Sequence, residues 1–316
     1  MKPGAGWYPV ALEERADGRH DLRWQDLSAA DFNAPFFEDV IRRARRERPE
    51  TRRTRLEEMD EIPLPPAVPP TAFVFHTSRS GSTLLTRFFS CLEGSIALSE
   101  PPIIDEILTL RSSDDDKVEL LRQIVRILGQ RRSVADHRLF IKHDSWHLRW
   151  LPLIRSAFPS VPCFLCFRDP VEILWSHHRQ RGSQMVPGLR DPSLFDIDPE
   201  SVDPADLDSF AARVLESLFT HALVHVRGGD LIPLALQSLT DQMRATVFPR
   251  LGIEPTGVET DRIHERGLYH SKKAGESYQA DFEKRIPEDL RVRFQDLCAP
   301  RLSRLYERML EFAPAR

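Results

Sequence analysis

The chain has 316 residues, 41% of them hydrophobic, which is enough to bury one large α/β core or two smaller ones. Its formal net charge of −4 gives no reason to expect a nucleic-acid partner or an acidic membrane surface, and no apolar run approaches the length of a membrane span. The four cysteines are too few for a disulfide framework, and the N-terminus lacks a signal-peptide hydrophobic region, so the sequence favours a cytoplasmic protein.

Residues 1–70 are predicted to form an N-terminal extension of a main domain that spans 71–316. Trp7 and Trp24 are expected to anchor a small lid or sheet extension on that domain. The Pro-rich stretch at 63–70 cannot be helical and is interpreted as a stiff connector.

One helix is predicted within this extension. Pro35, two residues after Asn33, is typical of a helix start, and the apolar residues that follow give the helix a buried side. An Arg-rich block at 42–55 and an acidic run at 57–61 come next. Charge runs of this kind usually form a solvated, self-paired surface, so no RNA partner is inferred.

From Thr71 onward, short apolar runs alternate with amphipathic helical segments. This alternation is typical of a three-layer α/β fold, in which a mostly parallel sheet of about five strands carries helices on its faces. The candidate strands are 72–75, 95–98, 139–142, 161–167 and 231–236.

The first of these strands runs into a short loop that is rich in hydroxyl side chains, and a helix with an apolar face follows. A strand, a tight turn at Gly81 and a helix N-terminus together form an anion site, because the first-turn N–H groups have no partner inside the helix. Ser80, Ser82 and Thr83 supply small donors. Arg79 adds a planar charged fork, so the loop is predicted to bind a phosphate-like group.

The loop differs from an ATP- or GTP-binding P-loop, in which Lys directly follows the last Gly of GxxxxGK[ST]. Ser82 stands in that place here, and the cation Arg79 precedes Gly81. The run SRSGST resembles instead the 5′-phosphosulfate loop of bacterial sulfotransferases that use 3′-phosphoadenosine 5′-phosphosulfate (PAPS). The resemblance implies a P-loop-type fold and assigns Arg79, Ser80, Gly81, Ser82 and Thr83 to cofactor binding. The alternative is a Ser-rich connection that binds nothing.

A second element, VPCFLCFRDPVEILWSHHRQ at 161–180, begins with an apolar strand that ends at Arg168. Open α/β sheets bind ligands at the carboxyl ends of their strands, which places Arg168 at the binding edge. Ser176 lies about two turns into the following helix. The segment is similar to the RDPxxxxxS element with which sulfotransferases grip the 3′-phosphate of PAPS, and Arg168 and Ser176 match it. The alternative is a structural corner in which Arg168 pairs with Asp169.

A third element, YHSKKAG at 269–275, resembles the basic loop that closes over the 3′-phosphate late in sulfotransferase chains. It assigns Lys272 and Lys273 to cofactor binding, although the family's fuller RKGxxGxW pattern is not reproduced. A solvated Lys pair is the alternative.

Sulfuryl transfer needs a general base for the acceptor and cations at the leaving phosphate. Arg79 and Lys142 suit the second role. Glu100, just beyond the strand at 95–98, resembles the catalytic Glu of bacterial and tyrosyl-protein sulfotransferases and is the preferred base. His143 resembles the catalytic His of cytosolic sulfotransferases, but a K-H spacing replaces the family's K-x-H and turns its side chain to the other strand face.

The resemblance therefore implies an enzyme that moves a sulfuryl group from PAPS to a hydroxyl or amine and releases PAP. The resemblance does not identify the acceptor, which can be a small molecule, a sugar or a lipid. It is also compatible with a homodimer. No metal is expected. Two histidine pairs have helical spacing but no evident third ligand, and are interpreted as helix surface. These pairs are His143/His147 and His221/His225.

Two other functions stay open. The first is an atypical kinase that uses Mg-ATP, with Asp169 as the Mg²⁺ ligand. The second is a non-catalytic protein that keeps the nucleotide site and has lost the chemistry.

Overall fold

The N-terminal part of the chain forms a three-stranded antiparallel sheet of its own, where the sequence predicted a lid or a sheet extension. The strands, in spatial order, are β1 (Trp7–Glu14), β2 (His20–Asp26) and β3 (Thr51–Arg55), and helix α1 (Phe37–Glu47) lies between β2 and β3 in sequence. The computed structural model describes residues 2–32, 34–63, 66–267, 286–299 and 301–314.

The helix predicted near Pro35 is present as α1, which begins at Phe37. Asn33, which was expected to start it, lies outside the described residues. The Arg-rich block continues beyond α1 into β3, and some of its arginines are paired with acids, as predicted for a self-paired surface. Arg42 pairs with two acids of its own helix, and Arg53 pairs with an acid on β1.

The main sheet contains five parallel strands at the positions that the apolar runs predicted, so the α/β fold is confirmed. Its spatial order is β5-β6-β4-β7-β8, with β4 in the centre. The strands are β4 (Pro70–His76), β5 (Ser95–Ser99), β6 (Arg138–Lys142), β7 (Cys163–Phe167) and β8 (Ile232–Ala235).

Helices cover both faces of this sheet, which is why its strands are almost wholly apolar. Along β4, Phe73 and Phe75 enter one core, and Ala72 and Val74 enter the other. The helices are α2 (Ser82–Ser90), α3 (Pro102–Thr109), α4 (Asp114–Leu128), α5 (Leu151–Ala157), α6 (Pro170–Arg179), α7 (Leu207–Arg227), α8 (Leu239–Gln242), α9 (Phe248–Leu251), α10 (Gly257–Gly267), α11 (Glu288–Cys298) and α12 (Leu302–Phe312). Helices α2, α8, α9 and α10 pack on one face, and α3 to α7, α11 and α12 pack on the other. Within the described ranges, no helix has both the length and the apolar character that a membrane crossing requires.

The N-terminal sheet is joined to the main sheet's helices by a shared core and by one polar side chain. Trp7, Tyr8 and Trp24 are buried in the same core as α3 and α4. The buried Gln130 side chain accepts a hydrogen bond from Gly6 N at 2.7 Å and donates one to the Trp7 carbonyl at 2.9 Å. The domain boundary at residue 70 stays a prediction.

Candidate active site

The loop between β4 and α2 has a backbone shape that side chains rarely adopt. Ser78 (φ 67°), Arg79 (φ 47°) and Gly81 (φ 86°) all have left-handed backbones, and Gly81 directly precedes α2. Such strain persists only where the surrounding structure enforces it, commonly at ligand sites. No side chain caps α2, so its first-turn N–H groups have no side-chain partner in the helix cap.

We expect Gly81→Ala to destabilise the protein and to weaken anion binding by the loop. A Cβ at Gly81 would collide with Leu236 Cδ1. The left-handed backbone adds a cost of about 1–2 kcal/mol for an alanine. Gly188 has a similar φ, +83° against +86°, but open space at its Cβ position, so Gly188→Ala isolates the backbone cost. The thermal unfolding midpoint should fall further for Gly81→Ala, because Leu236 packs against the core and must move. Equal shifts would show that the Leu236 side chain moves aside without cost.

The loop opens into a cavity of about 360 Å³, which falls in the range of about 300–1,000 Å³ typical of small-molecule sites. The predicted site residues that line it are Arg79, Ser80, Gly81, Ser82, Thr83, Glu100, Lys142, Arg168 and Ser176. They come from the carboxyl ends of neighbouring strands and the elements that follow them, where open α/β sheets bind ligands. Lys272 and Lys273 lie outside the described residues.

Two hydrogen bonds fix the loop to the neighbouring β7–α6 element. The Ser80 hydroxyl donates to the Cys166 carbonyl at 2.7 Å, and Arg79 Nη2 donates to the Gln180 carbonyl at 2.7 Å. Because the Ser80 side chain is buried and engaged in this way, we infer that it positions the loop.

The strained Ser78 is held by two side chains beyond the loop. Gly182 N donates to His177 Nδ1 at 3.3 Å, so His177 Nε2 carries the ring proton and donates to the Ser78 hydroxyl at 2.9 Å. Gln184 Nε2 donates to the same hydroxyl at 2.9 Å. The loop conformation is therefore fixed by hydrogen bonds from residues about a hundred positions later in the chain.

Arg168 leaves the end of β7 with its guanidinium held by an acid of the next helix. Its Nε lies 2.6 Å from Glu172 Oε2, one turn into α6. Asp169 caps α6 by accepting a hydrogen bond from Val171 N at 2.8 Å. Ser176, further along α6, lines the same cavity as Arg168.

Glu100 is the centre of a largely buried ion-pair network. Its Oε1 accepts hydrogen bonds from Lys142 Nζ at 2.5 Å and from His76 Nε2 at 3.2 Å. The register of the parallel strands creates this arrangement, because Ser99 pairs with Lys142 and Glu100 follows at once. The Glu100 backbone is left-handed, with a φ of 54°, which marks a residue held in place by its surroundings.

The protonation state of this network follows from its hydrogen bonds. Ser78 N donates to His76 Nδ1 at 3.0 Å, so His76 Nε2 carries the ring proton that points at Glu100. Burial alone would raise the pKa of Glu100, but the Lys142 ammonium and His76 outweigh it and hold that pKa well below its usual range. Glu100 is therefore ionised, and drawing the charge of Lys142 towards another anion would raise its affinity for a proton.

Lys142 connects three parts of the molecule. Its side chain is only 2% exposed, and Nζ lies 3.5 Å from Thr83 Oγ1 as well as beside Glu100. The Phe36 ring, from the N-terminal segment, lies with its centroid 5.1 Å from Nζ. The cation thus contacts the first turn of α2, the candidate base and the N-terminal segment.

His143 does not line this cavity. Its ring stacks on Phe75 at a centroid distance of 4.6 Å, and its Nδ1 lies 3.4 Å from His147 Nδ1. Burial, together with the neighbouring histidines, lowers the pKa of His143 well below its usual value. The helix-surface interpretation of this pair is wrong, because both rings are buried. It is confirmed for His221 and His225, which lie partly exposed on α7.

His147 also lies in a group of potential ligand atoms that does not include His143. Asp105, Asp144 and His147 bring one potential ligand atom each within 4.8 Å of one another, the one such group among the described residues. Asp105 already accepts hydrogen bonds from Trp146 Nε1 at 2.6 Å, His147 Nε2 at 3.1 Å and Arg190 Nη1 at 2.9 Å. The Asp105 carboxylate is therefore already satisfied by N–H donors of the chain itself, and the group forms a polar hydrogen-bond network.

Comparison with known proteins gives matches only among solved structures. No protein-family model and no curated protein matches the sequence. The chain is similar to the sulfotransferase domain from the curacin biosynthetic pathway, with a TM-score of 0.48 and 15% identity over 79% of this chain and 99% of that domain. It is also similar to sulfotransferase STF9 from Mycobacterium avium (TM-score 0.44, 13% identity, 79% of each chain). A retinol dehydratase in complex with androsterone and PAP matches with a TM-score of 0.37 and 11% identity, over 98% of this chain and 92% of that one. Similarity at this level concerns the general fold only.

The cavity is also lined by residues that the sequence reasoning did not assign to the site, among them His76, Phe36 and Asp144. Burial raises the pKa of Asp144 well above its usual value, and the nearby carboxylates Glu100 and Asp105 add to this effect. Two of these residues could have been predicted from the sequence. His76 ends β4 and Asp144 lies just beyond β6, and open α/β sheets bind ligands at the carboxyl ends of their strands. Phe36 carried no such signal.

Proposed function

We propose that this protein transfers a sulfuryl group from PAPS to a hydroxyl or amine of an acceptor. The observation that carries the proposal is the meeting of two anion-binding elements, β4–loop–α2 and β7–α6, with the Glu100–Lys142 pair in one cavity. A phosphosulfate and a separate phosphate on one ligand would require two such elements, and a carboxylate beside them suits a transfer reaction.

The residues of each element have distinct roles in binding. Arg79 and the first-turn amides of α2, including those of Ser82 and Thr83, would hold the 5′-phosphosulfate. Arg168 and Ser176 would hold the 3′-phosphate, for which Arg offers a planar pair of donors. Lys272 and Lys273 stay proposed as further ligands of the 3′-phosphate.

The catalytic roles follow from the charges. PAPS supplies the activated sulfuryl group. Lys142 and Arg79 would stabilise negative charge on the departing 5′-phosphate. As Lys142 turns towards that charge, its hold on Glu100 weakens, and the Glu100 carboxylate becomes a better acceptor for the proton of the attacking hydroxyl. His76 keeps Glu100 oriented through its Nε2–H.

Among the described residues, the position of Asp169 argues against the kinase alternative. The kinase would need Asp169 as a Mg²⁺ ligand beside the phosphates, but its carboxylate caps α6 and Asp169 is not among the residues that line the cavity. The loop also lacks the Lys of a nucleotide triphosphatase.

Calorimetric titration of the purified protein tests this proposal. We expect PAP to bind with a micromolar or lower Kd, with no dependence on Mg²⁺. ATP, with and without Mg²⁺, serves as the comparison ligand. Binding of Mg-ATP without binding of PAP would overturn the proposal and favour phosphoryl transfer. Binding of PAP without any turnover of PAPS across a broad acceptor set would favour the non-catalytic alternative.

A further inference from the structure

A second cavity of about 510 Å³ adjoins the first. Five residues line both: Phe36, Glu38, Glu100, Asp144 and Arg190. Because Glu100 is on the shared wall, a molecule in the second cavity can present a hydroxyl to the carboxylate that faces the proposed PAPS site.

The second cavity runs along helix α1. Phe36 and Glu38, at the start of the helix, line both cavities, whereas Ile41, Arg42 and Arg45 line only the second. The rise of an α-helix, about 1.5 Å per residue, puts Arg45 about 10 Å beyond Glu38 along the axis. One end of the cavity is therefore at Glu100, and the other is beside two arginines.

These two arginines are available to an anion. Arg45 forms no ion pair with any residue in the part of the chain that the structure describes. Arg42 lies 3.4 Å from Asp39 and 3.7 Å from Glu38, but its side chain is 57% exposed. Exposed pairs of this kind contribute little, so a ligand can compete for the Arg42 guanidinium.

The carboxylates of the cavity do not cancel this positive end. Asp105 is engaged by Arg190 and by two N–H donors. Glu106 accepts a hydrogen bond from Leu12 N, and burial raises the pKa of its carboxyl. Arg23, the remaining cation, is paired with Glu13 at 2.7 Å.

At the inner end, Glu100 is paired with Lys142, and burial raises the pKa of Asp144. At the outer end, Glu38 is the acid beside Arg42, and Arg45 carries an unpaired positive charge among the described residues.

We propose that the second cavity binds the acceptor, and that the acceptor carries a hydroxyl or amine at one end and an anionic group at the other, held by Arg42 and Arg45. The rise of α1 from Glu38 to Arg45 sets the scale of the separation, on the order of 10 Å. The inference rests on the proposed sulfuryl transfer and adds the acceptor class to it. It also gives the N-terminal segment a function, because α1 supplies the residues that select the acceptor.

A matched pair of probes tests the charge requirement. The acid 4-(4-hydroxyphenyl)butanoate carries a phenol and a carboxylate about 10 Å apart in its extended form, and its primary amide has nearly the same shape without the charge. Binding of each probe is measured by titration into the protein saturated with PAP, and turnover is measured with PAPS. We expect the acid to bind about tenfold or more tightly than the amide, as a charge-assisted hydrogen bond predicts.

Two double variants localise the effect. Arg42→Gln with Arg45→Gln should remove the preference for the acid and leave PAP binding unchanged. Arg43→Gln with Arg46→Gln removes the same charge from α1 residues that do not line this cavity, and should keep the preference. A protein that binds no PAP overturns the proposed function and the acceptor class together. PAP binding with no binding of the acid, with equal affinity for acid and amide, or with equal losses in both double variants overturns the acceptor class alone.

Discussion

Glu100→Gln is expected to lower turnover of PAPS by about 10²- to 10⁴-fold, the usual contribution of a general base. The amide keeps the size of the side chain and its contacts but cannot take the acceptor's proton. PAP binding should change far less than turnover, because the loop and Arg168 provide the phosphate contacts. The measurements are initial rates of PAP release and calorimetric titration of PAP. Normal turnover in this variant would exclude Glu100 as the base.

The same substitution should also destabilise the protein. It leaves the Lys142 ammonium, whose side chain is 2% exposed, without the carboxylate 2.5 Å away. The loss of one partner of a buried pair costs about 3–5 kcal/mol, and we expect the lower end here because Glu100 is 19% exposed. Adding Lys142→Met should restore much of the free energy of unfolding without restoring turnover. An unchanged denaturant midpoint in Glu100→Gln alone would contradict this expectation, because it would show that the buried Lys142 ammonium does not need the Glu100 carboxylate for stability.

Arg168→Ala is expected to weaken PAP binding by about 100-fold, as the loss of a charge-assisted, partly buried contact predicts. The fold should be little affected, since Glu172, which pairs with its guanidinium, is 39% exposed and can be hydrated in the variant. Calorimetric titration with PAP measures the effect.

Arg227→Ala provides the control for this variant. Arg227 is an exposed arginine at the end of α7 and does not line the cavity. Both variants remove one positive charge, so a loss of affinity common to both would be a long-range electrostatic effect. An unchanged Kd in Arg168→Ala would contradict the assignment of this residue to the 3′-phosphate.

The main sheet was predictable because each of its strands is a short apolar run, a pattern that buried parallel strands share. Once the strands were assigned, the carboxyl-end rule brought the loop, Glu100, Lys142 and Arg168 to one edge. Strand alternation also predicted that His143 would turn away from its neighbour Lys142, and the structure places its ring against Phe75.

The rest depended on contacts between distant segments. The N-terminal strands carry charged residues as well as aromatic ones. Their alternation of polar and apolar residues therefore did not show whether the segment forms a small sheet or a lid. The approach of Phe36 to Lys142 joins residues about a hundred positions apart, and no local pattern encodes it. The raised pKa of Asp144 arises from burial and from nearby carboxylates, which the sequence does not reveal.

The hydrogen bonds between the Gln130 side chain and the backbone of Gly6 and Trp7 have a consequence for the order of folding during synthesis. The first-made strands leave the ribosome 124 residues before the amide that fixes them, and before α3 and α4, against which Trp7 and Tyr8 are buried. Tyr8 can pack on Phe32 and Phe37 of its own segment, but the contacts of Trp7 and Tyr8 with α3 and α4 form only after the centre of the chain is made. The charge-rich stretch at 42–61 favours solubility in that interval. A segment that is translated before the main sheet thus docks only after the main sheet's helices α3 and α4 have been made.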